Sequence, residues 1–412
     1  MLRKLIETIN GAYQLQRHRE LLDAVWRQEV WFDAPHQLAS AQLARDLLAE
    51  AGLSGARLAS YPCDGKTRFQ DWIMRMAWDC PRAKLSFIDG EVLADREQIP
   101  ASTVFWSGPL ASADAPAVGE VVDGDAIETI TPEAVNGKYV LTGKYTIEMK
   151  NRLIGMQPLA VVSDFIGEND AYTDDTVRWC NGWSEGPGGW YFHAGDQIMT
   201  GFNISPAKGR ILRERLAAKP GLKLAGFCES RVYEGQGQNV TALLEGTDPS
   251  REVWIYGHAC EQGAHDNTSG VVVQIETLRL LQELIEAGKL PRPRHSIRMI
   301  TTEECIGMVA FATLNDDARR RALVGMNIDG AGDPGTEASP FILSYGPMSN
   351  PTISWAVVAL IAERVKAIAG NAWHWGVKRF VNNADDAIAD PHCNVPGQWL
   401  GKGGHSLGYH SS

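Results

Sequence analysis

Glu252–Ala259 reads EVWIYGHA, Ser269–Gly288 reads SGVVVQIETLRLLQELIEAG, and His295–Glu304 reads HSIRMITTEE. The first is a short apolar run of strand length. The second places apolar residues at helical spacing and stops at Gly288, a residue suited to end a helix. The third is again strand-like. The alternation continues with a helix in IGMVAFATLND (Ile306–Asp316), a strand in ALVGMNIDGAG (Ala322–Gly332) and a long helix in TISWAVVALIAERVKAIAG (Thr352–Gly370). Strands alternating with helices predict a parallel sheet covered by helices on its faces. In such sheets ligands bind beyond the carboxyl ends of the strands.

Those strand ends carry polar residues. His258 closes the first strand, and Asp266 follows before the helix. Glu303 and Glu304 close the second, Asp329 closes the third, and Tyr409-His410 lie near the end of the chain. If the strands are parallel neighbours, the carboxylates and His258 meet on one edge, and His410 can join them. Such a cluster repels itself unless cations are present. Imidazole with carboxylate suits zinc, with manganese or cobalt as alternatives. No short metal motif such as H-E-x-x-H occurs, and a single strand-end carboxylate can equally be a helix cap or a loop anchor.

Outward from this region the texture changes. Ala34–Gly52 (APHQLASAQLARDLLAEAG) has helical periodicity with Gly52 as its stop. RLASYPC and AKLSFIDG, between Arg57 and Gly90, look like strands. From about Thr103 to Glu234, strand-like GEVVDG and GKYVLTGKY alternate with Gly-rich segments and a helix in ISPAKGRILRERLAAK. The turn-dense NGWSEGPGGW (Asn181–Trp190) lies in the same span. This span is expected to be a separate, mostly β unit.

The chain has 412 residues, 39 Lys+Arg against 50 Asp+Glu, and a formal net charge of −11. Its length predicts two domains, or one domain with an insertion. An apolar content of 44% with 22% charged residues fits a globular protein with a buried core. The acidic balance argues against nucleic acid as the main partner. No run approaches the roughly 20 apolar residues of a membrane span. The N-terminal stretch reads as amphipathic helix, not as a signal peptide. The seven cysteines are scattered without a C-x-x-C, so a reducing cytoplasm is the expected compartment.

GHACEQGAHDNTSGV, TTEECIGMVAF, NIDGAG and GYHSS are similar, in this order, to the successive motifs of the co-catalytic zinc aminopeptidases. That superfamily also includes glutamate carboxypeptidase and glutaminyl cyclase. The motifs run from about Trp254 to the end of the chain. The β-rich span before them resembles, more weakly, the protease-associated (PA) domain that some members carry as an insertion. The resemblance implies a three-layer αβα zinc-peptidase domain with a mixed, mostly parallel central sheet, built from residues 1–103 and 236–412. Residues 104–235 would form a PA-like lid.

It also implies residue roles. Asp266 would bridge two Zn2+ ions, with Mn2+ or Co2+ as alternatives. His258 and Asp329 would complete the first site, and Glu304 and His410 the second. Glu303 would be the general base, and Tyr409 would help hold the oxyanion. Two cations about 3.5–4 Å apart can share a carboxylate and a water, lowering that water's pKa toward neutrality. A carboxylate beside the site can take its proton and pass it to the leaving nitrogen.

Two departures stand out. Many members have, two residues after the first His ligand, an Asp that orients the imidazole; this chain has Cys260, and a thiol is a poor substitute. Members usually continue beyond the Y-H-[ST] motif, whereas this sequence ends at Ser412, so either the chain is trimmed or the last ligand sits on a short tail. Asp385 and Asp386 fall where the family has an acidic segment facing the cleft, as substrate or supporting residues or as a plain turn. His265 is not expected to be a ligand, and His405 is expected at the surface. The 181–190 loop with Tyr191 either caps the cleft or is a structural turn. Cys260, Cys305 and Ser184 lack the context of a nucleophile.

The expected activity is hydrolysis of a terminal amide bond of a small peptide, as an aminopeptidase. Alternatives are an amidase, deacylase or carboxypeptidase on a peptide-like molecule with the same two metals, cyclase-like acyl transfer, or a metal-free binding protein on a peptidase fold. Neither nucleic acid nor membrane is an expected partner. A homo-oligomer stays open, since inserted domains often form dimer surfaces.

Overall fold

The computed structural model describes residues 2–168, 172–180, 191–381, 384–402 and 410–411. Its larger sheet has eight strands, in the order Ser54–Cys63, Gly235–Leu244, His295–Glu303, Asp248–Ala259, Ala322–Asp329, Gly397–Gly401, Phe341–Ser344 and Trp375–Lys378. His295–Glu303, Asp248–Ala259, Ala322–Asp329 and Gly397–Gly401 run parallel to one another. The two strands on the Ser54 side and the Phe341–Ser344 strand join antiparallel. The mixed sheet with a parallel centre expected from the alternation is therefore present.

Alternation along Asp248–Ala259 sends neighbouring side chains to opposite faces. Ile255 packs with Val25, Ala44, Leu48 and Ile275 under the helices Leu15–Glu29, Ala34–Glu50 and Thr268–Glu286. Trp254 and Tyr256 pack on the other face with Met308, Phe311 and Ile388, beneath Ile306–Leu314. A fully buried strand needs apolar residues on both faces, which is why EVWIY shows no polar alternation.

A second sheet has seven strands in the order Val92–Asp95, Ala77–Phe87, Lys223–Tyr233, Ala117–Asp123, Tyr139–Thr142, Ala160–Ser163 and Gly201–Asn203. Its strands lie on both sides of residue 103, because Ala77–Phe87 pairs antiparallel along the length of Lys223–Tyr233. Aromatic packing continues from this unit toward the larger sheet. Phe32 stacks on Phe105 with ring centroids 4.0 Å apart, and Phe105 packs on Trp179 at 5.3 Å. Trp179 in turn lies 4.1 Å, centroid to centroid, from the ring of His410. No helix among the described residues is long and apolar enough to cross a membrane.

Candidate metal centre

The parallel strands end side by side, and their last residues set the site. His258 is one residue from the end of its strand and is 1% exposed. Its Nε2 lies 3.1 Å from Asp266 Oδ1, and its Nδ1 lies 3.2 Å from Asp385 Oδ2. The other oxygen of Asp266 lies 3.1 Å from His410 Nε2. One carboxylate therefore stands between two imidazoles with an oxygen toward each, the placement expected of a bridging ligand.

The D-N-T-S-G stretch holds Asp266 there through its neighbour. Asn267 Nδ2 donates to the carbonyls of His258 and Ile328, at 3.0 Å each. Its Oδ1 accepts from the amides of Gly270 and Gly330. A single side chain thus ties two strand ends to the first turn of the helix Thr268–Glu286, which it caps. Gly270 must lack a side chain: a Cβ there would lie 2.2 Å from Asn267 Oδ1 and 2.4 Å from the Ile328 carbonyl.

Asp329 ends its strand and accepts from Trp399 Nε1 at 2.8 Å. Glu304 follows the strand His295–Glu303, and its carbonyl accepts from Tyr191 Oη. Donor atoms of His258, Asp266 and Asp329 lie within 4.8 Å of one another. So do those of His258, Glu261 and Glu304, and those of Glu261, Asp266 and His410. The structure thus gathers the five expected ligands, and Glu261 with them.

Glu303 and Glu304 diverge. Glu303 is 3% exposed, pairs with the guanidinium of Arg75 and accepts from Tyr61 Oη at 2.9 Å. Arg75 also donates to Gln37 Oε1 at 2.6 Å and to the carbonyl of Met76 at 2.9 Å. A narrow pocket reaches Glu303 between Gln37, Tyr61, Gln238 and Cys260. Successive side chains of extended backbone point to opposite sides, so the two carboxylates part, and residue 305 then turns the chain away with a φ of +55°.

Burial and mutual charge shift most of these groups. Burial pushes Glu304 well above the carboxylate range, against the nearby His258. Burial and the charge of Asp266 do the same to Glu261 and Asp329. Burial opposes ionisation of Asp266 too, but hydrogen bonds from His258 and His410 hold it well below the usual range. Burial also works against a charged His258, yet Glu304 and Asp329 hold its pKa well above the ordinary value. Four carboxylates, Glu261 and Asp266 buried and Glu304 and Asp329 partly so, with two imidazoles make an oxygen-nitrogen donor set, which suits zinc, manganese or cobalt. The residues present fit a metal centre.

Sequence reasoning left several contributors unread. Glu261 lies inside GHACEQGAHD, but only the φ of +72° at Cys260 turns the chain sharply beyond the strand. Arg75, Tyr61 and Trp399 come from distant segments, and no local signal marks them. Asp385, read as one of two options, lies at 0% exposure against the first histidine. His265, not expected to be a ligand, joins none of the three donor groups and makes no side-chain hydrogen bond. Tyr409, His405, Ser184 and the 181–190 loop lie outside the described residues.

Comparison with known proteins bears on the fold. Residues 239–412 match the model of Peptidase family M28. No curated protein matches the chain by sequence. A putative peptidase from Clostridium acetobutylicum superposes with a TM-score of 0.66 at 14% identity, covering 100% of this chain and 78% of that one. A Peptidase M28 precursor from Shewanella amazonensis gives a TM-score of 0.65 at 13% identity, with 100% and 90% covered. BSAP, a zinc aminopeptidase from Bacillus subtilis, gives 0.61 at 13% identity, with 96% and 88% covered. Residues 239–412 are thus matched to Peptidase family M28, and the whole chain takes the fold of a zinc aminopeptidase of known structure.

Proposed function

We propose that the protein is a metal-dependent exopeptidase, an aminopeptidase that hydrolyses the terminal amide bond of small peptides at a dinuclear zinc centre. The observation that carries this reading is Asp266, whose two oxygens face His258 and His410 separately. His258, Asp266 and Asp329 would hold one ion; Asp266, Glu304 and His410 would hold the other. When bound, the two ions would polarise the scissile carbonyl and activate water.

Asp385 fixes the ring of His258. A proton on Nδ1 directed at Asp385 leaves the Nε2 lone pair free to ligate. Glu303 is the proposed proton acceptor. Its carboxylate is held by one donor on each oxygen, from Tyr61 and Arg75, which leaves lone pairs free to take a proton. Tyr409 is proposed to steady the oxyanion. The unit at residues 104–235 is proposed as a PA-like lid that narrows the entrance and so favours chain ends over chain middles. Tyr191, donating to the Glu304 carbonyl, and Trp179, packed on His410, support contact between that unit and the site.

The reading is tested with aminoacyl p-nitroanilides offered with a free or a blocked amine. Turnover of the free-amine substrate that disappears with chelator supports it. Turnover of the blocked substrate alone would replace the aminopeptidase with an amidase or deacylase.

A further inference from the structure

The five ligands carried over from the family do not by themselves close the second ion position in this chain. Glu304 and His410 are assigned to that ion together. Yet among the described residues their donor atoms do not fall within one compact group. Each instead falls in a group with Glu261: Glu304 alongside His258, and His410 alongside Asp266.

We propose that Glu261 is a sixth protein ligand of the centre, belonging to the second ion between Glu304 and His410. The proposal rests on the dinuclear reading above and adds a residue to it. Glu261 is 4% exposed, and its Oε2 makes no hydrogen bond. That oxygen lies 3.4 Å from His410 Nε2, so it points into the cluster and not to solvent. A buried carboxylate oxygen without a donor is costly. A cation would remove that cost; among the described residues the donor facing this oxygen is His410 Nε2, at 3.4 Å and without a hydrogen bond to it.

The charge count agrees. Glu261, Asp266, Glu304 and Asp329 bring four negative charges, the number that two divalent cations neutralise. Without Glu261 the count would be one short. The local backbone supplies the means: the left-handed residue Cys260 comes immediately after the strand and turns the chain at the foot of Glu261.

The experiment is chelator competition on the full chain, wild type against Glu261→Gln, with zinc per chain read by mass spectrometry. The wild type is expected to bind two ions. E261Q is expected to keep one at wild-type affinity and to bind the second at least about 10–100-fold more weakly, the loss typical of removing even an outer-shell partner. Two ions held as tightly as in the wild type would overturn the assignment. If such a variant had also lost turnover, Glu261 would be a proton acceptor and not a ligand. A wild type that binds fewer than two ions would overturn the dinuclear reading and the sixth ligand together. The zinc-loaded wild-type crystal structure decides the matter even if E261Q does not fold. A Glu261 oxygen about 2.0–2.2 Å from an ion supports the proposal, and one beyond about 3 Å overturns it.

Discussion

Asp385 Oδ2 lies 3.2 Å from His258 Nδ1, and its other oxygen accepts from the Cys305 amide at 2.7 Å. A carboxylate from far along the chain is thus placed to orient the imidazole, the task that the family resemblance assigns to an Asp two residues after the histidine. Cys260 stands at that place here. The Cys305 amide holds Asp385 in turn, so the turn after Glu304 also positions the carboxylate beside His258.

Asp385→Asn is therefore expected to weaken the first ion site about 10–100-fold, the usual loss for an outer-shell partner. The fold should survive, because the amide can still accept from Cys305. Chelator competition checks this. Unchanged affinity would mean that His258 needs no orienting carboxylate.

Restoring the family residue is expected to harm the protein. Cys260 is 7% exposed, with its thiol pushed well up by burial and by the charges of Glu29 and Glu303. Cys260→Asp would add a buried carboxylate beside two others. A loss of about 1–3 kcal/mol is expected, the usual range for a buried polar group without a partner, read as a lower urea midpoint. Tighter zinc binding with no loss of stability would contradict the role given to Asp385.

Glu303→Gln tests the proton acceptor. The amide keeps the size of the carboxylate, and Glu303 belongs to none of the ligand groups. The variant should retain both ions while kcat falls by about 10²–10⁴, the range for removing general-base help. Loss of an ion would show that Glu303 ligates; unchanged kcat would show that another group takes the proton.

Glu29 gives the stability a pH dependence. It is fully buried behind the site, accepts from Thr268 at 2.7 Å and Ser40 at 2.9 Å, and is pushed up to about 7, chiefly by burial. The folded state therefore keeps this proton at a pH where the unfolded chain has released it. Its contribution is fully present below about 4.5 and is lost as the pH rises toward 7. The loss is on the order of 3 kcal/mol at about 1.4 kcal/mol per pK unit. In Glu29→Gln the fall in stability between those pH values should be shallower than in the wild type. Identical slopes would remove Glu29 from the account.

The strand ends were legible because their chemistry is local. A buried parallel strand announces itself as an apolar run, and a metal-binding residue type at its end is placed by that end, as with His258, Glu304 and Asp329. Asp266 follows from the helix that begins right after it. What stayed hidden depends on contacts across the sequence. Ala77–Phe87 joins the second sheet only by pairing with Lys223–Tyr233. Phe341–Ser344 and Trp375–Lys378 are too short to show a period. The Arg75–Glu303 pair joins residues far apart in the chain, and Glu261 is presented by one left-handed residue that no propensity assigns to a cysteine.

The most direct test of the central claim is the metal content per chain of protein purified without chelator. Turnover of an aminoacyl p-nitroanilide is read on the same sample before chelation, after it and after zinc is returned. The account expects two ions per chain and turnover that vanishes and returns with them. A chain that takes up no zinc, or whose turnover ignores the chelator, would contradict it.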